Sequence, residues 1–407
     1  MTTTNHITVE NKKEKAMDDM PGMGTNRTNP FRSLAGSPNC KVYAKPGGRC
    51  QSLQDAIDRA SSIAIVGHNN PDGDAVGATQ ALYQYLLNSG KNAKVIYPNH
   101  FAQNLAWMDL HQSSINYQDH PDEIKTVMQG CDLLFVMDFN RVSRTESMAP
   151  VLKEKDCVRI MIDHHLEPEW QDFDLAYSDT TVSSTCELLY RVIHAELNPD
   201  LIDSHVSNCL YAGISTDTGS FSYSCRHKEI FEAIADLISR GLDTVKVHQN
   251  IFDNFSESRM RLLGCCLGDR LIVKPEYNTA YMYLSDADMQ KYNYQAGDTE
   301  GIVNYGLSIA GIYFAAFFTQ RNNRIRMSFR SQGDIDVNIF AKENFGGGGH
   351  KNASGGTSYE SLEATLAKFE AALPAFYEKS IRPAVESLKK TGYNPGLPTE
   401  TTEHTEK

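Results

Sequence analysis

Four short runs constrain this chain more than anything else in it: 62–68 (SIAIVGH), 92–98 (NAKVIYP), 132–139 (DLLFVMDF) and 158–165 (VRIMIDHH). Each is almost wholly apolar and rich in Ile or Val. Helix-like segments and loops separate them, 75–90 (AVGATQALYQYLLNSG) for example. A strand that is apolar on both sides has to be covered on both sides. That is the signature of a parallel sheet with helices packed on each face. Further helical patterns follow at 183–197, from about 203 to 213, and through a long connection at about 228–268. The expected fold class is therefore α/β.

Beyond that connection the pattern changes. GIYFAAFFTQ and RIRMSFR flank Asn322-Asn323, a hairpin signal. Ile325, Met327 and Phe329 alternate with Arg326, Ser328 and Arg330, so one face of this strand is buried and the other offers guanidinium groups. DIDVNIFAKEN is a helix candidate that runs into the glycine tract 346–349. The first 39 residues are polar and lack period. The expected organisation is a leader without fixed structure over 1–45, an N-terminal lobe over 46–235, a helical linker over 236–269, a smaller α/β lobe over 270–380, and a mostly solvated tail over 381–407.

Composition excludes several classes. With 407 residues, 41% of them hydrophobic, the chain is long enough for two domains and too apolar to be disordered throughout. Its longest nearly apolar stretch, 307–318, falls short of the roughly 20 residues a membrane span needs, and the N-terminus has no apolar block of a secretory signal. Nine cysteines, an odd number with no CxxC, read as reduced thiols in a cytoplasmic protein. The net charge of −12 argues against a long nucleic-acid footprint and against duplex binding. It leaves room for a small anionic substrate, because bound cations would cancel local carboxylates.

Three of the apolar runs end in groups that carry chemistry. The first ends at His68, with Asp72 and Asp74 just beyond; the third ends at Asp138; the fourth ends at Asp163-His164-His165. Asp217 follows a further apolar segment in GISTDTGSF. In an open parallel sheet, ligands bind beyond the carboxyl ends of the strands, so these groups should converge. Taken singly, each has a plain reading: a helix cap, a turn or an incidental His pair. Together they crowd carboxylates that would repel one another unless divalent cations lay between them. His and several carboxylates suit Mn²⁺, Zn²⁺, Fe²⁺ or Mg²⁺. Six ligands are too many for one catalytic ion and suit two, with one carboxylate bridging. The tract Gly346-Gly347-Gly348-Gly349-His350 is neither a P-loop nor a dinucleotide fingerprint. It is either a flexible loop or a close backbone approach to a phosphate or base, and His350, Lys351 and Asn352 favour the second.

HNNPDGDAVG, VMDF, IDHH and STDTG, in that order, resemble motifs I to IV of the DHH phosphoesterases. RMSFRSQGDIDVN followed by FGGGGHKNASGG resembles the DHHA1 domain that accompanies them. The likeness spans roughly 62–358 and, in size, is similar to the stand-alone nano-RNases that also act as phosphatases on 3′-phosphoadenosine 5′-phosphate (pAp). It implies a parallel-sheet DHH lobe with helices on both faces, a helical linker and a smaller DHHA1 lobe. It implies two divalent cations, foremost Mn²⁺, with Mg²⁺, Co²⁺, Fe²⁺ and Zn²⁺ as alternatives. His68 and Asp72 would bind one ion and Asp74 the other, with Asp138 between them and His164 and Asp217 as further ligands. Asp163 would orient the imidazoles, and His165 would contact the scissile phosphate. Arg330, Ser331, Gly348, Gly349 and His350 would hold the distal part of the nucleotide. The implied substrates are oligoribonucleotides of about two to five nucleotides, released as mononucleotides, and pAp. A homodimer is compatible with the resemblance.

Rival readings differ in what they require. A phosphodiesterase for cyclic di-AMP, or for its linear product pApA, would share the chemistry. A processive RecJ-type exonuclease would need a longer chain and a basic groove. An inorganic pyrophosphatase would carry another second lobe. A non-catalytic nucleotide- or RNA-binding module would have no use for six metal ligands, and a purely structural protein would bury carboxylates to no end.

Overall fold

The computed structural model describes residues 31–390 apart from Lys155, Ser224, Arg226, Ala296 and Asn322. Its first lobe is built on β1 (Phe31–Leu34), β2 (Ser37–Ala44), β3 (Ile63–Val66), β4 (Ala93–Tyr97), β5 (Ser114–Asn116), β6 (Leu133–Met137), β7 (Val158–Asp163) and β8 (Leu175–Ser178). They form one sheet in the order β1-β2-β8-β7-β6-β3-β4-β5. From β8 to β5 every pairing is parallel. Alternate residues of one strand enter different cores. Ile63 and Ile65 of β3 lie in one cluster, and Ala64 and Val66 in another on the opposite face. This two-sided burial is why the strands read as unbroken apolar runs.

The strand order fixes where a ligand can sit. The chain leaves β3 outward to β4 and β5, then returns to the other side of β3 through β6, β7 and β8. The direction reverses between β3 and β6, which opens a crevice beyond their carboxyl ends. His68 and Asp138 flank that crevice.

One expectation needs correction here. The leader expected over 1–45 ends sooner than that, because 31–44 form β1 and β2, an antiparallel pair that closes the β8 edge of the sheet. An edge pair buries only part of its side chains, here Leu34, Cys40 and Val42, so its sequence stays largely polar and hides the strand. Residues 1–30 lie outside the described residues.

The second lobe carries β9 (Leu271–Lys274), β10 (Thr279–Leu284), β11 (Phe314–Arg321), β12 (Arg324–Ser331), β13 (Gly348–Gly349) and β14 (Ala353–Ser358), in the order β13-β14-β12-β11-β10-β9. The β11–β12 hairpin pairs Arg321 with Arg324, so the turn falls where Asn322-Asn323 signals it, although Asn322 lies outside the described residues. Phe314, Phe318, Phe329, Phe340 and Phe369 form a fully buried aromatic core beneath this sheet. Helices Thr244–Phe252 and Glu257–Asp269 run between the lobes, the first packed on the first lobe and the second against β9 and β10. The tail expected over 381–407 also needs correction at its start. Ile381, Ala384 and Val385 are buried, the last two on helix Arg382–Lys390, whose apolar stripe packs on the second lobe. The rest of that tail lies outside the described residues. Among the described residues, no helix is long and apolar enough to cross a membrane.

Candidate metal centre

Each side chain of the centre is placed by an element end. His68 follows β3, and its Nδ1 lies 2.9 Å from the Asn69 carbonyl. Donation from Nδ1 to that oxygen leaves the Nε2 lone pair free, and Nε2 is buried with no hydrogen-bond partner. Asp72 caps helix Gly73–Asn88, its Oδ1 accepting from the Asp74 and Ala75 amides at 3.1 Å each. The cap uses only one of its oxygens; the other, Oδ2, faces His68 Nε2 at 3.8 Å.

Asp138, directly after β6, sits in the left-handed region with φ 63°. That uncommon conformation for a non-glycine residue turns the carboxylate into the crevice. Its Oδ2 lies 3.3 Å from His68 Nε2, and its Oδ1 lies 3.7 Å from His164 Nε2. Asp138 therefore presents one oxygen to each half of the centre. Thr185 Oγ1 donates to Oδ1 at 2.8 Å and fixes its rotation.

The second half gathers Asp74, His164 and Asp217. His164 Nε2 lies 3.8 Å from Asp74 Oδ2 and 3.3 Å from Asp217 Oδ2, and it too is buried without a hydrogen-bond partner. Asp74 is fully buried at the N-terminus of helix Thr185–Glu196, accepting from the Thr185 and Cys186 amides at 2.6 and 2.9 Å. Asp217 is the last residue of helix Ser204–Asp217, which packs tightly on Gly73–Asn88. Gly213 permits that approach. A Cβ there would fall 2.2 Å from Cys186 Sγ and 2.6 Å from Asp74 Oδ1.

The electrostatics call for positive charge. Burial, then Asp138 and Asp72, hold the Asp74 carboxyl well above the usual carboxylate range. Burial, then Asp74, Asp72 and Asp138, do the same to Asp217. Burial also pushes Asp138 up, but the imidazoles of His68, His165 and His164 outweigh it and hold this carboxyl below the usual carboxylate range. Two sets of donors, His68/Asp72/Asp138 and Asp74/His164/Asp217, each bring three ligand atoms within 4.8 Å of one another. Ligands about 2.1 Å from a shared ion stand roughly 3.0–3.4 Å apart, close to the spacings seen here. Orphaned imidazole nitrogens, crowded carboxylates and this spacing fit a divalent cation in each set.

Asp163 behaves more selectively than expected. It accepts from the His165 amide at 3.0 Å and lies 2.7 Å from His165 Nδ1, so it orients one imidazole of the pair, the one that does not face Asp74 and Asp217. The second lobe reaches the centre through His350. Its ring stacks on His165 at 4.5 Å and 30°, and lies 4.9 Å from the ring of His164. The glycine tract behind it is not a loose loop. Gly348 and Gly349 form β13, paired with Gly355 and Ser354.

Arg330 and Ser331 lie on opposite faces of their strand. Strand alternation puts Arg330 on the face of β12 opposite the core and buries Ser331, whose hydroxyl donates to the Ile335 carbonyl at 2.7 Å. The Ser331 side chain is thus committed to the turn after β12. Sequence reasoning also missed Thr185, whose signal was the Ser-Ser-Thr start of a helix, and it placed Arg326 on the open face of its strand without its contact to the first lobe. With the Asn70 amide oxygen turned toward it, the Arg326 guanidinium reaches that oxygen at 2.6 and 3.0 Å, and it lies 3.4 Å from Glu146, so it ties the lobes together.

A model of the DHH family, N-terminal domain, matches residues 62–214, and one of the DHHA1 domain matches 276–377. The bifunctional oligoribonuclease and PAP phosphatase NrnA of Bacillus subtilis is 24% identical over 311 residues, covering 76% of this chain and 93% of the relative. Its Thermus thermophilus counterpart is 26% identical over 344 residues, covering 81% and 91%. The cyclic-di-AMP phosphodiesterase PdeA of Listeria monocytogenes is 26% identical over 322 residues, 74% of this chain but only 45% of that protein. The crystal structure of an exopolyphosphatase-related protein from Bacteroides fragilis shares 35% identity, covers 80% of this chain and 95% of its own, and superposes with a TM-score of 0.75.

Proposed function

This chain belongs to the DHH family, with a DHHA1 domain as its second lobe, and on that premise we propose that it is a phosphoric ester hydrolase that cleaves short oligoribonucleotides to mononucleotides and dephosphorylates pAp to AMP. The chain spans nearly the whole length of relatives named for those two activities. It spans less than half of the cyclic-di-AMP phosphodiesterase it matches, so the dinucleotide reading ranks second.

The observation that carries the reading is the pair of donor triads joined by Asp138, with an orphaned imidazole nitrogen in each half. In this proposal His68, Asp72 and Asp138 would hold one divalent cation, and Asp74, His164 and Asp217, together with Asp138, would hold a second. Mn²⁺ is the foremost candidate for a donor set of imidazoles and carboxylates, with Mg²⁺, Co²⁺, Fe²⁺ and Zn²⁺ as alternatives. When bound, two such ions supply the Lewis acidity that activates water and neutralises a phosphoryl group. The chain's own groups do the rest. Asp163 orients His165, the group proposed to contact the scissile phosphate as negative charge develops on it. His350 and Arg330 bind the distal part of the nucleotide from the second lobe. Lobe closure excludes water and positions the phosphate. All nine cysteines are free thiols, which fits a reducing cytoplasm.

The test is a product time course on a short 5′-labelled RNA beside pAp and cyclic di-AMP, after EDTA treatment and after Mn²⁺ addition. Mononucleotides appearing one at a time, and AMP from pAp, are expected only with the metal. Turnover that survives chelation would overturn the reading.

A further inference from the structure

Helix Ser204–Asp217 does not end in an ordinary cap. Gly219, Ser220 and Phe221 follow it with φ 53°, 52° and 64°, three successive left-handed residues. Two of them carry side chains that disfavour this conformation. Buried Thr218 holds the turn together. Its carbonyl accepts from the Ser222 and Tyr223 amides at 2.9 and 3.1 Å, and its hydroxyl from the Phe221 amide at 3.0 Å.

The turn sorts two aromatic rings. Phe221 is directed inward, 6.0 Å from Tyr211 and 5.8 Å from Phe231. Tyr223 folds back over the turn, so close that a Cβ on Gly219 would fall 2.3 Å from its ring. The Tyr223 ring nevertheless remains 43% exposed. Its hydroxyl feels charge from both lobes, from Asp217 on its own and from Arg330 and Glu300 of the second, and takes Asn304 of the second lobe as a hydrogen-bond partner. Burial raises that hydroxyl above the usual phenol range. A strained turn that holds an aromatic face open beside a phosphate-binding guanidinium has the parts of a base-stacking platform, since every base offers a π-face.

We propose that Tyr223 is a specificity-determining residue: its ring stacks on a nucleobase of the substrate while Arg330, across the cleft, holds the adjoining phosphate. The inference rests on the nucleotide-hydrolase reading above and adds to it a base-binding subsite. It makes the enzyme selective for phosphates carried by a nucleotide over phosphates that lack a base, without choosing among bases.

The experiment compares the full-length Mn²⁺-loaded enzyme with Tyr223→Phe and Tyr223→Ala on the diribonucleotide pApA and on analogues lacking one or the other base. Tyr223→Ala is expected to raise KM for pApA about tenfold, a loss of about 1.4 kcal/mol, with a smaller change in kcat. That penalty should disappear on one of the abasic analogues, and Tyr223→Phe should restore most of it, because the ring and not the hydroxyl does the stacking. Equal losses on pApA and both abasic analogues would mean a merely structural role and would overturn the inference. So would Tyr223→Phe as damaging as Tyr223→Ala. A wild type that leaves pApA intact with Mn²⁺ present would overturn the function reading, and this inference with it.

Discussion

Replacing Gly213 by Ala tests whether the close packing of two helices is what places the metal ligands. The added methyl would lie 2.2 Å from Cys186 Sγ and 2.6 Å from Asp74 Oδ1, against an ordinary contact of at least 3.4 Å. The neighbours must therefore yield by about 1.2 and 0.8 Å in a fully buried setting, which costs roughly 1–3 kcal/mol as overpacking. Asp74 cannot yield freely, because it accepts from the Thr185 and Cys186 amides. Losing one of these charge-assisted bonds adds roughly 1.5–3 kcal/mol. A net destabilisation of about 2.5–6 kcal/mol is expected, seen in calorimetry as a fall in Tm of several degrees. A ligand displaced by about 1 Å should also lower kcat by around 100-fold. Isothermal titration with Mn²⁺ should show one ion bound as in the wild type and the ion at Asp74 weakened. The double variant Gly213→Ala/Cys186→Ala should recover part of the stability but little of the activity, since the Asp74 clash remains. A Gly213→Ala protein that melts within about one degree of wild type, with two unchanged Mn²⁺ sites, would refute the reasoning.

Other expectations follow from the same geometry. Asp138→Ala removes the carboxylate that faces both halves of the centre and should cut turnover more than tenfold; retention above a tenth in a steady-state assay would count against a shared ligand. His350→Ala leaves His68, Asp72, Asp74, Asp138, His164 and Asp217 in place, so KM should rise several-fold while kcat and Mn²⁺ stoichiometry hold, and a selective loss of kcat would move His350 into the chemical step. Arg326→Ala breaks the contacts to Glu146 and Asn70, worth up to about 1 kcal/mol, and should enlarge the radius of gyration in small-angle scattering with little change in Tm.

Much of this was readable in the sequence because the first sheet is buried on both faces. β3, β4, β6 and β7 announce themselves as apolar runs, and three of them end in the residues that meet in the crevice. What escaped is equally physical. β1 and β2 close an edge and remain polar, and β5 spans only Ser114–Asn116, too short for a pattern. That Arg330 and Ser331 fall on opposite faces follows from the period of two that the same strand displays at Ile325, Met327 and Phe329. Tyr223 and Arg326 do not stand in any apolar run. Their positions depend on a left-handed turn and on how one lobe meets the other, which local sequence does not encode.

The stacking of His350 on His165 roofs the centre with a side chain from the far lobe. For the proposed reaction this means that a scissile phosphate at the centre meets groups of both lobes at once, so a substrate is gripped on either side of the bond that breaks. Such an arrangement suits short remnants, whose two ends fall within reach of the two lobes, better than polymers.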